Sequence, residues 1–410
     1  RAVKVRASKG VTLVQTQAAG VAHYEVTQKN VAPIIEEVNQ PQWYDPGLRV
    51  EVSEYAGWDE VKSWAQGLFK QPGALSPAIQ QQLATWRAKN LSPPQLVGEV
   101  LRWVQSDVRY FGIELGVNSH LPTHPNLTFA RRFGDCKDKS LLLATLLNEL
   151  GIPATPALAS LRYQRAAGAA QASPAVFDHV IVKVVVDGKT RWLDATRPAQ
   201  FGALDAIGAF DYGSVLVLEE TATGLQTAGY PEGYLERRQS VDRYLVKSLR
   251  EPVELVSESV YHGSGAEGVR HTLATVARDE FAKMVRADMQ RVFTTATSLG
   301  DVDVADDTAN NRITLRARYR IADLFRYEPG KFTTELPVTA LLDYLKVPQI
   351  PQRNAPFSLP FPLQSTQSLI VELPDNPIRT VPDAASDRGV YWNMRTRYQT
   401  DSKKFQVDYS

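Results

Sequence analysis

The cysteine at position 136 is the only one among 410 residues, and its neighbours favour a reactive thiol. Asp135 comes directly before it, and a carboxylate there can accept hydrogen bonds from the unpaired amides of a first helical turn. An apolar run over 141–147 and a stop at Gly151 complete the pattern of a helix that begins at Cys136. We expect Asp138 to reach back as the acidic partner of a capping box. The backbone N–H groups and the dipole at such a helix start stabilise a thiolate.

A nucleophilic thiol needs a base, and the base needs a group that orients it. Two β-rich segments flank the pair Asp187-Gly188, which is a strong signal for a hairpin with a two-residue loop. Such a loop pairs Val186 with Lys189. It also places His179 and Asp194 on one face of the hairpin, roughly 7–8 Å apart between backbones, a gap that a side-chain hydrogen bond can close. The sequence therefore predicts a Cys/His/Asp arrangement.

This order of residues resembles the transglutaminase-like superfamily of papain-type folds, in which the cysteine opens a helix and the other two lie on a hairpin. It is most similar to the bacterial family in which a transglutaminase core follows a β-rich domain of unknown function. The resemblance implies a catalytic triad of Cys136, His179 and Asp194, and it identifies no substrate. It covers about residues 52–198 and rests on five segments, 108–116, 131–139, 151–154, 177–180 and 192–196.

Each of the three residues also has an ordinary structural interpretation. A lone cysteine is usually a buried small apolar residue. A histidine that enters a strand is more often a satisfied polar residue than a base, and an aspartate before Ala-Thr is most often a turn residue. The three together, in the family's order and on the expected elements, favour the functional interpretation.

Fold class follows from the pattern of elements and from the resemblance. We expect an α+β protein with a papain/transglutaminase-like core flanked by β-rich domains. Helices are predicted to precede the Cys136 helix over 58–69, 76–89 and 92–104. The predicted domains are the end of a β-rich domain over 1–51, a catalytic core over 52–232, and a β-rich C-terminal domain over 239–410 with one principal helix.

The C-terminal region carries no catalytic motif that we recognise. Alternation predicts strands that include 253–262, 268–277 and 312–321, with Gly263-Ser264-Gly265 as a turn and a helix over 279–295. The proline-punctuated segment 348–362 is expected to be an ordered connector, with a partner-binding polyproline segment as the alternative.

Composition excludes several classes of partner. Lys and Arg total 46 against 45 Asp and Glu, so a net charge of +1 gives no reason to expect nucleic acid or an anionic membrane. No apolar run approaches the roughly 20 residues that span a bilayer, so no integral membrane segment is expected in this chain. One cysteine excludes an internal disulfide framework. The chain starts at Arg1 without a signal peptide, and we expect a processed or trimmed product. Its oligomeric state is left open.

The stretch between positions 110 and 131 could form one wall of the cleft. His120 or Asn118 is a candidate side-chain donor to an oxyanion, beside the backbone N–H of Cys136. A solvated turn histidine is an equally good interpretation of His120. Zinc is disfavoured, because Pro122 argues against a helix that presents both His120 and His124 to a metal. The small, polar segment 163–177 is a candidate mobile lid or a surface insertion.

The chemistry that these residues support is acyl transfer through a thioester intermediate on a peptide or protein substrate. Hydrolysis would make the protein a protease or amidase, and aminolysis would make it a transglutaminase; no metal or organic cofactor is required. The alternative is a catalytically silent fold that serves as a peptide- or glycan-binding scaffold, and a purely structural adaptor is a third possibility. The resemblance also implies a periplasmic or otherwise extracytoplasmic location.

Overall fold

The structure is a computed structural model, and it describes residues 3–8, 10–70, 73–112, 116–342, 344, 348, 352–375, 383–389, 393–401 and 403–410. The chain divides into two compact units. Unit 1 comprises Arg1–Pro198, Phe210–Glu232 and Pro348–Ser358, and unit 2 comprises Ala199–Ala209, Gly233–Val347 and Leu359–Ser410. None of the described helices is long and apolar enough to cross a membrane.

The α-helices of the described residues are, in chain order, α1 (Trp58–Phe69), α2 (Pro77–Ala88), α3 (Pro93–Asp107), α4 (Pro125–Arg131), α5 (Cys136–Glu149), α6 (Gly263–Thr275), α7 (Arg278–Val292) and α8 (Thr339–Leu342). The three helices predicted before the cysteine are confirmed within a few residues at each end. Ser92 caps α3 with a full capping box, in which Gln95 reaches back to it. The strands and helices together confirm the predicted α+β class.

The strands of unit 1 are β1 (Lys4–Ala7), β2 (Thr12–Ala18), β3 (Val21–Thr27), β4 (Val50–Ser53), β5 (Arg109–Tyr110), β6 (Phe133–Gly134), β7 (Ala154–Ala159), β8 (His179–Val186), β9 (Lys189–Leu193), β10 (Gly213–Val217) and β11 (Gln226–Ala228). Five of them form one antiparallel sheet in the order β11-β10-β7-β8-β9. The predicted register of the β8–β9 hairpin is confirmed, because Val186 pairs with Lys189.

Helix α5 is the centre of unit 1. Its apolar side chains are fully buried, and so are most of the polar ones, as expected for a helix that is surrounded by other elements. Ser140 fastens the helix to the sheet by donating from Oγ to the carbonyl oxygen of Val180 over 2.9 Å. Gly151 ends it in the left-handed region at φ +81°, as its position after Leu150 predicts.

The strands of unit 2 are β12 (Glu236–Leu245), β13 (Val253–His262), β14 (Thr297–Ser298), β15 (Asp303–Asp307), β16 (Arg312–Ile321), β17 (Arg326–Glu328), β18 (Lys331–Thr333), β19 (Leu363–Glu372), β20 (Ala385–Arg388), β21 (Asn393–Thr400) and β22 (Lys404–Tyr409). Nine of them form one sheet in the order β14-β16-β13-β12-β19-β22-β21-β20, with β15 paired to β16. The β12–β19 pair is parallel and the others are antiparallel.

One element of unit 2 differs from the prediction. Residues 263–275 form helix α6, not a turn followed by a strand, so the unit has two principal helices instead of one. The carboxylate of Glu236 accepts from the amides of Ser264 and Gly265, at 3.1 and 2.8 Å, and so caps the helix start. Because Glu236 belongs to strand β12, this cap could not be predicted from the residues next to the helix.

The connector after 348 lies partly outside the described residues. Its described part is ordered against the N-terminal region of unit 1. The amide of Asn354 donates to Glu37 over 2.8 Å, and the amide of Ser358 donates to the Asn39 carbonyl over 2.7 Å. These contacts agree with the predicted connector.

Candidate active site

Cys136 is the first residue of α5 and is only 6% exposed. Asp135 is the N-cap, as predicted, and its carboxylate accepts from the amide of Asp138 over 3.2 Å. The same carboxylate forms an ion pair with the ammonium group of Lys137. The Asp135 carboxylate therefore caps the start of α5, and the ammonium group of Lys137 neutralises the charge of that carboxylate.

Asp138 does not close the predicted capping box. Its carboxylate accepts from the amide of Thr123 over 2.7 Å and from the guanidinium of Arg131 over 2.6 Å. A buried carboxylate gains more from a charged donor and a backbone amide than from the one N-cap amide within its reach. Asp138 therefore ties the loop before α4 to the first turn of α5.

His179 opens strand β8, and its ring lies against the Asp194 carboxylate. Nε2 of His179 and Oδ2 of Asp194 are 2.8 Å apart, and both side chains are nearly buried. The two residues thus meet as the hairpin register requires. Since Nε2 is used by Asp194, Nδ1 is the ring nitrogen available to Cys136, and the cysteine is one of the groups that raise the pKa of this imidazole.

The Asp194 carboxylate is held on both of its oxygens. Oδ1 accepts from the amide of Thr196 over 2.8 Å and from its hydroxyl over 2.6 Å, while Oδ2 also accepts from the hydroxyl of Tyr212 over 2.8 Å. Burial alone would raise the pKa of this carboxyl. The hydrogen bonds and the charge of His179 outweigh burial and lower the pKa of Asp194 to about 2.

Tyr212 is the residue of this site that sequence reasoning missed. It is 3% exposed, and its ring stacks on the His179 imidazole at a centroid distance of 6.2 Å and an interplanar angle of 20°. It lies just before β10, 18 positions after Asp194 in the sequence. No local motif marks it, because the contact depends on β10 lying beside β7 in the sheet.

The electrostatics of the site favour a charged imidazole. Burial lowers the pKa of His179, but the hydrogen bonds and negative charges of Asp194 and Cys136 more than offset burial and raise the pKa to about 10. An imidazolium between a carboxylate and a sulfur is the arrangement that stabilises a thiolate. The site thus favours a charged imidazole beside the first residue of α5.

A second layer of residues supports the turn that carries Asp194. The Gln105 side chain donates to the backbone carbonyl of Asp194 over 2.9 Å. Lys139 is 1% exposed and donates to the carbonyls of Gln105 and Val108 at the end of α3. Burial lowers the pKa of Lys139 to about 8, although the charge of Asp194 acts in the opposite direction. Lys139 therefore joins α5 to the end of α3, and Gln105 joins α3 to the Asp194 turn.

A cavity of about 270 Å³ opens beside the sulfur and the imidazole. Its walls include Trp64, Leu68 and Phe69 of α1, as well as Phe177. His120 also lines it and packs edge-to-face on Trp64 at 5.2 Å between ring centroids. The cavity is the space in which a substrate carbonyl could approach Cys136.

The other predicted site residues have different positions. Asn118 lies in the 3-10 turn Gly116–Ser119, is exposed, and does not line the cavity. His124 caps α4, where its Nδ1 accepts from the amide of Asn126 over 3.2 Å. Across the described parts of the chain, no three His, Cys, Asp or Glu side chains are grouped so as to hold a metal ion.

Residues 163–177 are packed, and the structure gives no open flap there. The segment folds into two 3-10 turns whose buried side chains form a small apolar cluster with Trp58. Hydrogen bonds tie it to the N-terminal strands, including one from Gln171 to the carbonyl of Lys4 over 3.1 Å and one from Ser53 to the carbonyl of Ala172 over 2.5 Å. The segment is one wall of the core.

No family model and no curated protein matches the chain. Among solved structures it is similar to a protein from Parabacteroides distasonis described as a "putative protease", with a TM-score of 0.60, 12% identity, and coverage of 100% of this chain and 63% of that one. It also matches the periplasmic domain of TgpA from Pseudomonas aeruginosa (TM-score 0.23, 17% identity, 36% of this chain and 52% of that one). A third match is a "putative cysteine protease" from Cytophaga hutchinsonii (TM-score 0.21, 14% identity, 48% and 65%).

The chain thus spans less than two thirds of the length of each of these proteins. The similarity to the first of them shows a shared α+β fold.

Proposed function

We propose that the protein is a cysteine-dependent enzyme that forms an acyl intermediate on peptide or amide bonds. Cys136 is the nucleophile, His179 the acid and base, and Asp194 the group that orients the imidazole. The observation that carries the proposal is the His179–Asp194 contact of 2.8 Å beside a cysteine at a helix start, with Cys136 and His179 lining one cavity. The shared fold with a protein described as a "putative protease" supports it.

The first half of the reaction forms a thioester. The Cys136 thiolate attacks the carbonyl carbon, and the backbone N–H of Cys136 helps to hold the oxygen that becomes negative. His120, which lines the same cavity, is the candidate side-chain donor to that oxygen. The C–N bond then breaks as the imidazolium of His179 gives its proton to the departing amine. Asp194 keeps the ring oriented and stabilises its charge.

The second half resolves the thioester. Water or an amine attacks the carbonyl carbon, His179 takes its proton, and the sulfur leaves as a thiolate. Water yields an acid and makes the protein a protease or amidase, whereas an amine yields a new amide and makes it a transglutaminase. We place the reaction on a peptide or protein, in an extracytoplasmic compartment, and in a core domain over 52–232.

Because the chain has one cysteine, an active ester gives a clean test. The protein is mixed with 4-nitrophenyl acetate, and acetylation is followed by intact mass and by release of nitrophenol. We expect stoichiometric acetylation that is absent in Cys136→Ala and much slower in His179→Gln. The Cys136→Ala variant also controls for acetylation of lysines.

The alternative is a silent scaffold that binds peptides or glycans, and the low exposure of Cys136 is the observation that favours it. If the scaffold is correct, acetylation will have the same rate in His179→Gln as in the unaltered protein, and the enzymatic proposal fails.

A further inference from the structure

The cavity beside Cys136 has polar and apolar walls, and one of its sides is apolar and aromatic. Helix α1 contributes Trp64 and Leu68, which are four residues apart and so share one helix face, and Phe69 at its last position. Phe177 closes another side and meets Trp58 edge-to-face at 5.6 Å between ring centroids. The sulfur is therefore approached along an aromatic surface.

The charged side chains of this wall are already paired. Among the described residues that line the cavity, the charged groups besides the two histidines are Lys137 and Asp178. Lys137 forms its ion pair with Asp135 and is 6% exposed. Asp178 uses both carboxylate oxygens, accepting from the amides of Leu161 and Arg162 at 2.7 and 3.2 Å. A charged substrate group would lose water here, and both charged side chains of the wall already have hydrogen-bond or ion-pair partners within the fold.

The size of the cavity limits what can enter it. Its volume of about 270 Å³ is slightly below the roughly 300–1,000 Å³ of sites that enclose a whole small ligand. A single side chain of a larger substrate fits that size better. The main chain of the substrate would then lie across the sulfur with one residue inserted.

We infer that this cavity is a specificity pocket for one uncharged apolar side chain, aliphatic or aromatic, on the acyl side of the bond that is cleaved. The inference rests on the proposed function and narrows its substrate class. It makes Leu68 a specificity-determining residue, because Leu68 belongs to the wall and is only partly buried.

The test uses peptidyl acyloxymethyl ketones, which alkylate a catalytic cysteine. One set has the form acetyl-Ala-X and the other acetyl-X-Ala, with X as Leu, Phe, Asp or Lys, so that the pocket can be found at either position. Labelling of Cys136 is followed by intact mass, and iodoacetamide, which has no side chain, is measured alongside. In one of the sets we expect Leu or Phe to react at least roughly 10-fold faster than Asp and Lys.

A change in the wall makes the test sharper. Leu68→Glu places a carboxylate in the pocket, and we expect the ratio of Lys to Leu rates to rise roughly 5-fold or more. Leu68→Met keeps the apolar wall and should keep the ranking of the probes. Thermal melts check that both variants fold. If Leu68→Glu does not fold, the ranking of the probes on the unaltered protein still decides the matter.

The possible failures can be told apart. Suppose that iodoacetamide labels Cys136 in a His179-dependent manner, but the four probe side chains react equally in both sets or the charged ones react faster. The assignment of an apolar specificity pocket is then wrong, and the enzyme proposal stands. If labelling does not depend on His179, the enzyme proposal fails and the pocket assignment fails with it.

Discussion

The hydroxyl of Tyr212 donates a 2.8 Å hydrogen bond to Oδ2 of Asp194, the same oxygen that contacts His179. The Tyr212 ring also stacks on the imidazole. One aromatic side chain therefore touches both partners of the pair and limits the positions that each can adopt. The carboxylate and the ring are held before any substrate arrives, which is the condition for effective orientation.

Tyr212→Phe should keep the stacking and remove the hydrogen bond. Hydrogen bonds to charged groups contribute about 1.5–3 kcal/mol, so we expect a loss of that order in the free energy of unfolding. Acetylation of Cys136 should slow, though less than in Asp194→Asn. Denaturant titrations and single-turnover acetylation measure the two effects. Tyr327→Phe, at an exposed tyrosine of unit 2, is the control, and equal stability losses in the two variants would contradict the role of Tyr212.

The Asp194→Asn variant tests whether Asp194 orients and stabilises the His179 imidazolium or only supports the local structure. If the charge stabilises the imidazolium, turnover should fall on the order of 10³–10⁴-fold, as for the corresponding change in serine proteases, while the protein stays folded. The loss should be smaller than for Cys136→Ala, which removes the nucleophile. Paired thermal melts and acetylation rates decide between the roles. A stable and fully active Asn variant would remove Asp194 from the catalytic set and leave a Cys136/His179 dyad.

The stability of unit 1 should depend on pH through His179. The pKa of His179 is about 10 in the folded protein and near 6.5 when unfolded, so the folded state binds the extra proton between these values. The contribution of His179 to stability is therefore complete below about pH 6.5 and decreases as pH rises towards 10, by on the order of 1 kcal/mol per pH unit.

Denaturant unfolding followed by tryptophan fluorescence can measure this, because six of the seven tryptophans lie in unit 1. The difference in unfolding free energy between the unaltered protein and His179→Gln should shrink between about pH 7 and pH 9. A difference that is constant or that grows with pH would show that the imidazolium is not stabilised in the folded state.

Gly213 offers a test of the backbone beside Tyr212. It has φ +68°, and a Cβ atom there would lie 2.2 Å from the backbone nitrogen of Arg165. Gly224 has a similar φ of +60° but nothing within 4 Å of that position. We expect Gly224→Ala to cost about 1–2 kcal/mol, from backbone strain alone, and Gly213→Ala to cost clearly more. Equal melting temperatures for the two variants would mean that the close approach at Gly213 is relieved at no cost.

The parts of the site that depend on residues close together in the sequence could be predicted from the sequence. The Asp187-Gly188 turn sets which residues of β8 and β9 pair, so the meeting of His179 and Asp194 could be predicted from the loop length alone. The start of α5 followed from Asp135 in the same way. Both depend on residues that are near each other in the sequence.

Contacts between distant residues were not predictable by such reasoning. Tyr212 reaches Asp194 only through the order of strands in the sheet, and helix α6 starts where Glu236 supplies its cap from another strand. The sequence Gly263-Ser264-Gly265 suggested a turn, because glycine is a poor helix former in the absence of such support. The partners of Asp138 likewise come from the loop before α4.

The solitary cysteine at the start of α5 has a consequence for oxidative damage. Under the proposed function, a thiolate at Cys136 would also react with peroxide, and a sulfenic acid of this kind is normally rescued by a neighbouring thiol. This chain has no second cysteine to serve as that neighbour. Rescue must come from an external thiol that reaches Cys136 from outside, and the cavity of about 270 Å³ that lies beside it is the natural route. The width of that opening therefore sets how quickly a reductant can repair the sulfur.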